Sequence, residues 1–135
     1  MEINADPRYL DYFRLFREEK FFEAHEVLEG LWLETKGGKR KFYQGLIQLA
    51  AVLVHFQRGN EAGAKALFQS AKGYLQSYPR HYEGVPISLI LKDFEAFLAS
   101  WARHPKEPLV AKRLVPRVIL HHKNASQKKA DPKKI

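Results

Sequence analysis

His25 and Glu29 stand four residues apart in the stretch FFEAHEVLEGLWLE, residues 21–34. On a helix that spacing puts an imidazole and a carboxylate on one face, where they can clasp a divalent ion from a single turn, as metal sites in helical bundles do. His55, in the next apolar segment, offers a third ligand. Zinc, manganese or iron held by His25, Glu29 and His55 would activate a water for attack on an ester, amide or phosphoester, the chemistry of a metal-dependent hydrolase. Glu26 or a glutamine could orient that water. HEVLE shares only the first half of the HExxH string of zinc peptidases, because Glu29 replaces the second histidine. Peptidase activity is therefore not implied, and no single catalytic residue follows from the spacing.

The positions of these groups around their helices extend the candidate site. At about 100° per residue, Glu29 lies about 40° to one side of His25 and Trp32 about 20° to the other. All three border the apolar stripe of Phe21, Ala24, Leu28 and Leu31, while Glu23 and Glu26 point away. The segment from Phe42 to Gln57 has no charged residue, and Gln44, Gln48 and His55 fall within about 40° of one another along it. A buried amide or imidazole without a hydrogen bond costs on the order of 1–3 kcal/mol, so the two polar stripes are expected to face each other. The expected pocket holds His25, Glu29 and His55, with Trp32, Gln44 and Gln48 around them. It would serve a metal ion or a small ligand. The competing reading has no catalysis: Glu29 holds His25 in one tautomer and the glutamines complete a structural hydrogen-bond network inside a protein- or nucleic-acid-interaction module.

The elements that must position these groups are helical. Asp6 and Pro7 make an N-cap and first-turn pair ahead of Tyr9, Leu10, Tyr12, Phe13 and Phe16, which favour one face. A second helix is expected from about Phe22 to Thr35, ended by Gly37 and Gly38, and a third from Phe42 to Gln57. With 16 residues and four polar side chains, the third is too short and too polar to span a membrane. Asn60 caps a fourth helix, whose Ala62, Gly63, Ala64, Ala66, Ala71 and Gly73 invite a close neighbour, and Pro79 stops it. Pro86 starts a fifth, with Ile87, Ile90, Leu91, Phe94, Phe97, Leu98 and Trp101 as its buried stripe. The three prolines of PKEPLVAKRLVPRVILHH favour an extended arm over a helix. No sheet is expected. The fold class is all-α, a compact bundle of about five helices containing a helical hairpin and carrying an extended C-terminal arm.

The strings FFEAHEVLEGLW and YQGLIQLAAVLVHFQRGNEAGA together resemble domain-of-unknown-function family 309 of bacteria and archaea, marked by His, three residues, Glu, two residues, then Trp or Tyr. His25, Glu29 and Trp32 match that pattern, and the similarity runs over roughly residues 10–100. The resemblance implies a helical protein with a suggested metal site and hydrolase activity, and no assigned substrate.

The net charge of +8 is unevenly distributed. Residues 1–102 hold 13 basic and 13 acidic side chains, whereas residues 103–135 hold 10 and 2. One domain over residues 1–120 and a basic disordered tail over 121–135 are expected, the tail offering weak contact with nucleic acid or another anionic surface. Without cysteine there is no disulfide framework and no thiolate metal site, and the charged start MEINADPRYLDYF lacks the pattern of a signal peptide. A cytoplasmic protein is expected, with oligomers possible through the aromatic first helix.

Overall fold

The chain folds as its punctuation directs. The computed structural model describes residues 6–121. Helix α1 spans Pro7–Arg17, with the Asp6 side chain accepting from the Arg8 amide at 2.9 Å and proline in its first turn. Its end is a left-handed cap. Glu19 has φ 61°, and the Lys20 amide reaches back to the Leu15 carbonyl at 2.9 Å. This is the six-to-one bond of a Schellman motif, with glutamate where glycine is usual. A left-handed non-glycine residue costs about 1–2 kcal/mol, partly offset by the extra backbone entropy that glycine loses on folding. Glu19→Gly is therefore expected to stabilise the protein by about 0.5–1 kcal/mol, read as a higher urea midpoint with an unchanged slope.

Helix α2 spans Phe21–Glu34 and α3 spans Arg40–Gln57, each beginning slightly ahead of the expected start. Helix α4, Glu61–Leu75, is capped by Asn60, whose side-chain oxygen accepts from the Gly63 amide at 3.0 Å. Helix α5 covers Ile87–Arg103, and its buried face contains the whole expected apolar stripe.

Two features depart from the sequence expectation. A two-stranded antiparallel hairpin, β1 His81–Tyr82 and β2 Val85–Pro86, precedes α5 where no strand was expected. Its turn residues Glu83 and Gly84 both have positive φ, 50° and 78°, the requirement of the tight turn that suits twisted strands. The arm is also not wholly extended. Pro108 starts a five-residue helix, α6, Pro108–Lys112, before the chain runs without regular structure to His121, whose amide donates to the Gly84 carbonyl at 2.6 Å. The segment 122–135, most of the expected tail, lies outside the described residues.

Helix α3 is the central element, packed by α2 on one side and α4 on the other, with α1 against α2 and α5 against α4. Phe42, Leu46, Leu49, Ala50, Val52 and Leu53 are wholly buried in it. The close approach of α3 and α4 comes from Gly45. A Cβ there would sit 2.6 Å from Cγ of the buried Leu75. On α4, Ala64 and Ala71 are buried, but Ala62, Ala66 and Gly73 face outward, so only part of the expected small-residue stripe makes the contact. Among the described residues no helix is long and apolar enough to cross a membrane.

Tyrosines tie α1 to the rest. The Tyr12 hydroxyl donates to the Leu46 carbonyl at 2.6 Å and the Tyr9 hydroxyl to the Glu83 carbonyl at 2.7 Å. Burial pushes both phenols well above their ordinary range. In the unfolded chain they ionise near pH 10. The stability they contribute is thus fully present below about pH 10 and lost as pH rises beyond it, because only the unfolded state then releases the protons. Equilibrium urea unfolding is expected to show a falling midpoint above pH 10, with a smaller fall in Tyr9→Phe.

Candidate functional site

Helix α2 has two flanks, and the contacts of each identify its neighbour. On one, Arg8 of α1 forks onto Glu34 at 2.9 and 3.0 Å. On the other, the Arg40 guanidinium lies 4.2 Å from the centre of the Trp32 ring, and its Nη1 donates to the Trp32 and Thr35 carbonyls, both at 2.9 Å. The flank carrying Trp32, His25 and Glu29 is therefore the flank nearest α3. Trp32 and Arg40 fix the axial register of the antiparallel hairpin. Seven residues back from Trp32 is His25 and eight residues on from Arg40 is Gln48, about 10.5 and 12 Å along their helices at 1.5 Å per residue. By the same measure Glu29 and Gln44 share a level.

Three side-chain atoms in this hairpin are buried without any hydrogen-bond partner: His25 Nδ1, Trp32 Nε1 and Gln48 Oε1. Native interiors satisfy most such groups, and each orphan costs about 1–3 kcal/mol. Their chemistry is complementary rather than redundant. The indole N–H can only donate, the amide oxygen can only accept, and the imidazole nitrogen can do either. Among the described residues the one aromatic neighbour of the His25 ring is Phe22, whose ring stacks on it at 5.8 Å and is itself 48 % exposed.

The expected closed network is not formed. No hydrogen bond or ion pair joins His25 to Glu29 among the described residues, and His25 Nδ1 is open. The His25 ring instead stacks on Phe22, three residues before it. Glu29 and Gln44 are half-buried and Glu26 is exposed.

His55 is placed elsewhere. Asn60 Nδ2 lies 3.0 Å from His55 Nδ1, and the ring packs where a Gly63 Cβ would come within 2.9 Å of it. Because the Gly63 amide can only donate, the capping atom of Asn60 is its oxygen, and the amide nitrogen is left to donate to His55. Nδ1 thus accepts and the ring proton sits on Nε2. A metal-bound histidine needs the reverse, a free lone pair at one nitrogen and an acceptor for the proton on the other. Among the described residues no three or more His, Asp or Glu side chains are grouped to hold a metal ion. The ligand set His25, Glu29 and His55 is accordingly not assembled; shared azimuth on α3 left His55 one hairpin end away from His25.

Residues 9–67 match the family described as Domain of unknown function (DUF309). The match runs from α1 into α4 and includes both polar stripes, though it stops short of the stretch to about residue 100 suggested by the sequence. Two curated relatives match by sequence. The chain is 43% identical over 77 residues to "Uncharacterized protein YpuF" of Bacillus subtilis (strain 168), which covers 56% of this chain and 44% of the relative. It is 30% identical over 81 residues to an "Uncharacterized protein" of Aquifex aeolicus (strain VF5), covering 59% of this chain and 24% of that one. The chain thus spans less than half the length of either curated relative. No solved structure matches it.

Sequence reasoning missed Phe22 and Arg40. Phe22 lies three residues before His25 and on the same side, a spacing that could have flagged it as a stacking partner. Arg40 carried no comparable signal, since its position over Trp32 depends on the loop between α2 and α3.

Proposed function

We propose that this protein is a binding domain for a small polar ligand, received between α2 and α3 by Trp32 Nε1, Gln48 Oε1 and His25 Nδ1. The observation that carries the reading is the trio of buried, unpartnered polar atoms on α2 and α3. Gln48 Oε1 and His25 Nδ1, which share a level, suit a primary carboxamide, and Trp32 Nε1, about 10.5 Å further along α2, suits a lone pair at the other end of the ligand. Phe22 would cover the ring of a planar ligand, and Glu29 with Gln44 would border it.

A divalent ion, whether zinc, manganese or iron, fits less well. His25 and Glu29 supply two ligands, one fewer than the three that catalytic zinc sites keep, and His55 is committed to Asn60. The test is thermal unfolding of the full chain against zinc, manganese and iron(II) chlorides, nicotinamide, and benzoate as an acceptor-only control. Nicotinamide is expected to raise the melting temperature saturably, with the rise absent in Trp32→Phe. A response to a metal chloride, lost in His25→Ala and Glu29→Gln, would replace the proposal with the metal reading; no response to nicotinamide would contradict it.

A further inference from the structure

A second cleft lies away from the hairpin, where the arm crosses α1. It encloses about 410 Å³, within the roughly 300–1,000 Å³ range of small-molecule pockets. Its walls are two kinds of group. Leu10, Phe13, Val118 and Ile119 make it apolar, and Arg14, Arg17 and Arg117 bring three guanidinium groups to its lining. Leu10 is 39 % exposed and Ile119 46 %, so this face leaves apolar surface in water.

The arginines are not equivalent. Arg14 is already engaged by Asp11 at 3.2 Å and Glu18 at 3.4 Å. Arg17 and Arg117 make no ion pair and no side-chain hydrogen bond among the described residues. The placement of Arg17 in the last turn of α1 is explained in part by the helix dipole, which favours cations there. Arg117 lies on no such helix end: it follows Pro116 in the arm and lines the same cleft. Two unpaired guanidinium groups beside an apolar trough complement an anion with a hydrocarbon body, since the planar fork matches a carboxylate or phosphate in two parallel bonds.

We infer that the cleft between α1 and the arm binds an amphipathic anion, its carboxylate or phosphate held by Arg17 and Arg117 and its alkyl chain laid along Leu10 and Ile119. The site shares no residue with the α2–α3 hairpin, so it stands or falls independently of the proposed function. Such a head group can come from a free acid or from a lipid in a bilayer. The pocket is bounded by its own arm, which favours a single detached chain.

The experiment is isothermal titration of the full chain with monomeric decanoate, with acetate and decyltrimethylammonium as controls, beside flotation with phosphatidylcholine vesicles containing phosphatidylglycerol. Decanoate is expected to bind at one site per chain, and the controls not at all. Arg17→Gln/Arg117→Gln should weaken decanoate by about tenfold or more, the scale of losing charge-assisted hydrogen bonds. Both arginines are exposed, so this variant should melt where the native chain does; Ile119→Asp tests the apolar wall separately and should also weaken binding. Absence of decanoate binding, binding unchanged in the double variant, equal binding of the cationic amphiphile, or capture by anionic vesicles without binding of free decanoate would each overturn the inference.

Discussion

The double variant His25→Leu/Gln48→Leu is expected to be more stable than the native chain by about 2 kcal/mol. Each substitution removes a buried polar atom that has no partner and replaces it with an apolar group of similar bulk. Leaving a buried polar group unsatisfied costs about 1–3 kcal/mol, so its removal returns that amount less the strain of repacking. Functional sites commonly hold stability in reserve in this way, and relieving it sacrifices the function. The same variant should therefore lose the thermal response to nicotinamide while its urea midpoint rises. Had the polar stripes closed into a structural network, each substitution would instead strand a partner and lower the midpoint. The two readings differ in sign, which makes equilibrium urea unfolding a sharp discriminator.

The second large effect lies beneath the site. Gly45→Val should cost about 3 kcal/mol or more, since even a Cβ would stand 2.6 Å from Cγ of Leu75, and Leu75 is only 1 % exposed with little room to yield. Helix α3 would then be pushed off α4 and its glutamine face displaced. Adding Leu75→Ala should recover part of the loss, giving a coupling energy of about 1–3 kcal/mol in a double-mutant cycle. Purely additive losses would show that the two helices do not meet through this pair.

How much of this was legible beforehand depends on what periodicity can encode. The apolar stripes of α2, α3 and α5 follow from the angle of about 100° per residue, and they place His25, Trp32 and Gln48 at a buried boundary correctly. Periodicity gives azimuth and not height. Gln48 and His55 share a face of α3 yet stand about 10.5 Å apart along it, and only the turn into α4 decides that His55 meets Asn60. The Asn60 side chain was legible as a helix cap, but its second role, holding the His55 tautomer, needs the three-dimensional turn. The β hairpin escaped for a related reason: its strands are two residues long, too short to alternate, and its turn carries Glu83 where asparagine would have been the usual signal. The arm misled through proline, which forbids helix interiors but begins helices well, as Pro108 does for α6.

The most direct measurement is a nitrogen-15 NMR titration that follows the Trp32 indole N–H, the Gln48 side-chain amide and the His25 ring nitrogens together as nicotinamide is added. Movement of all three along one saturation curve, with the indole signal assigned by its loss in Trp32→Phe, is the predicted result. Signals that stay still, or that move with unrelated midpoints, would mean that these atoms do not serve one ligand.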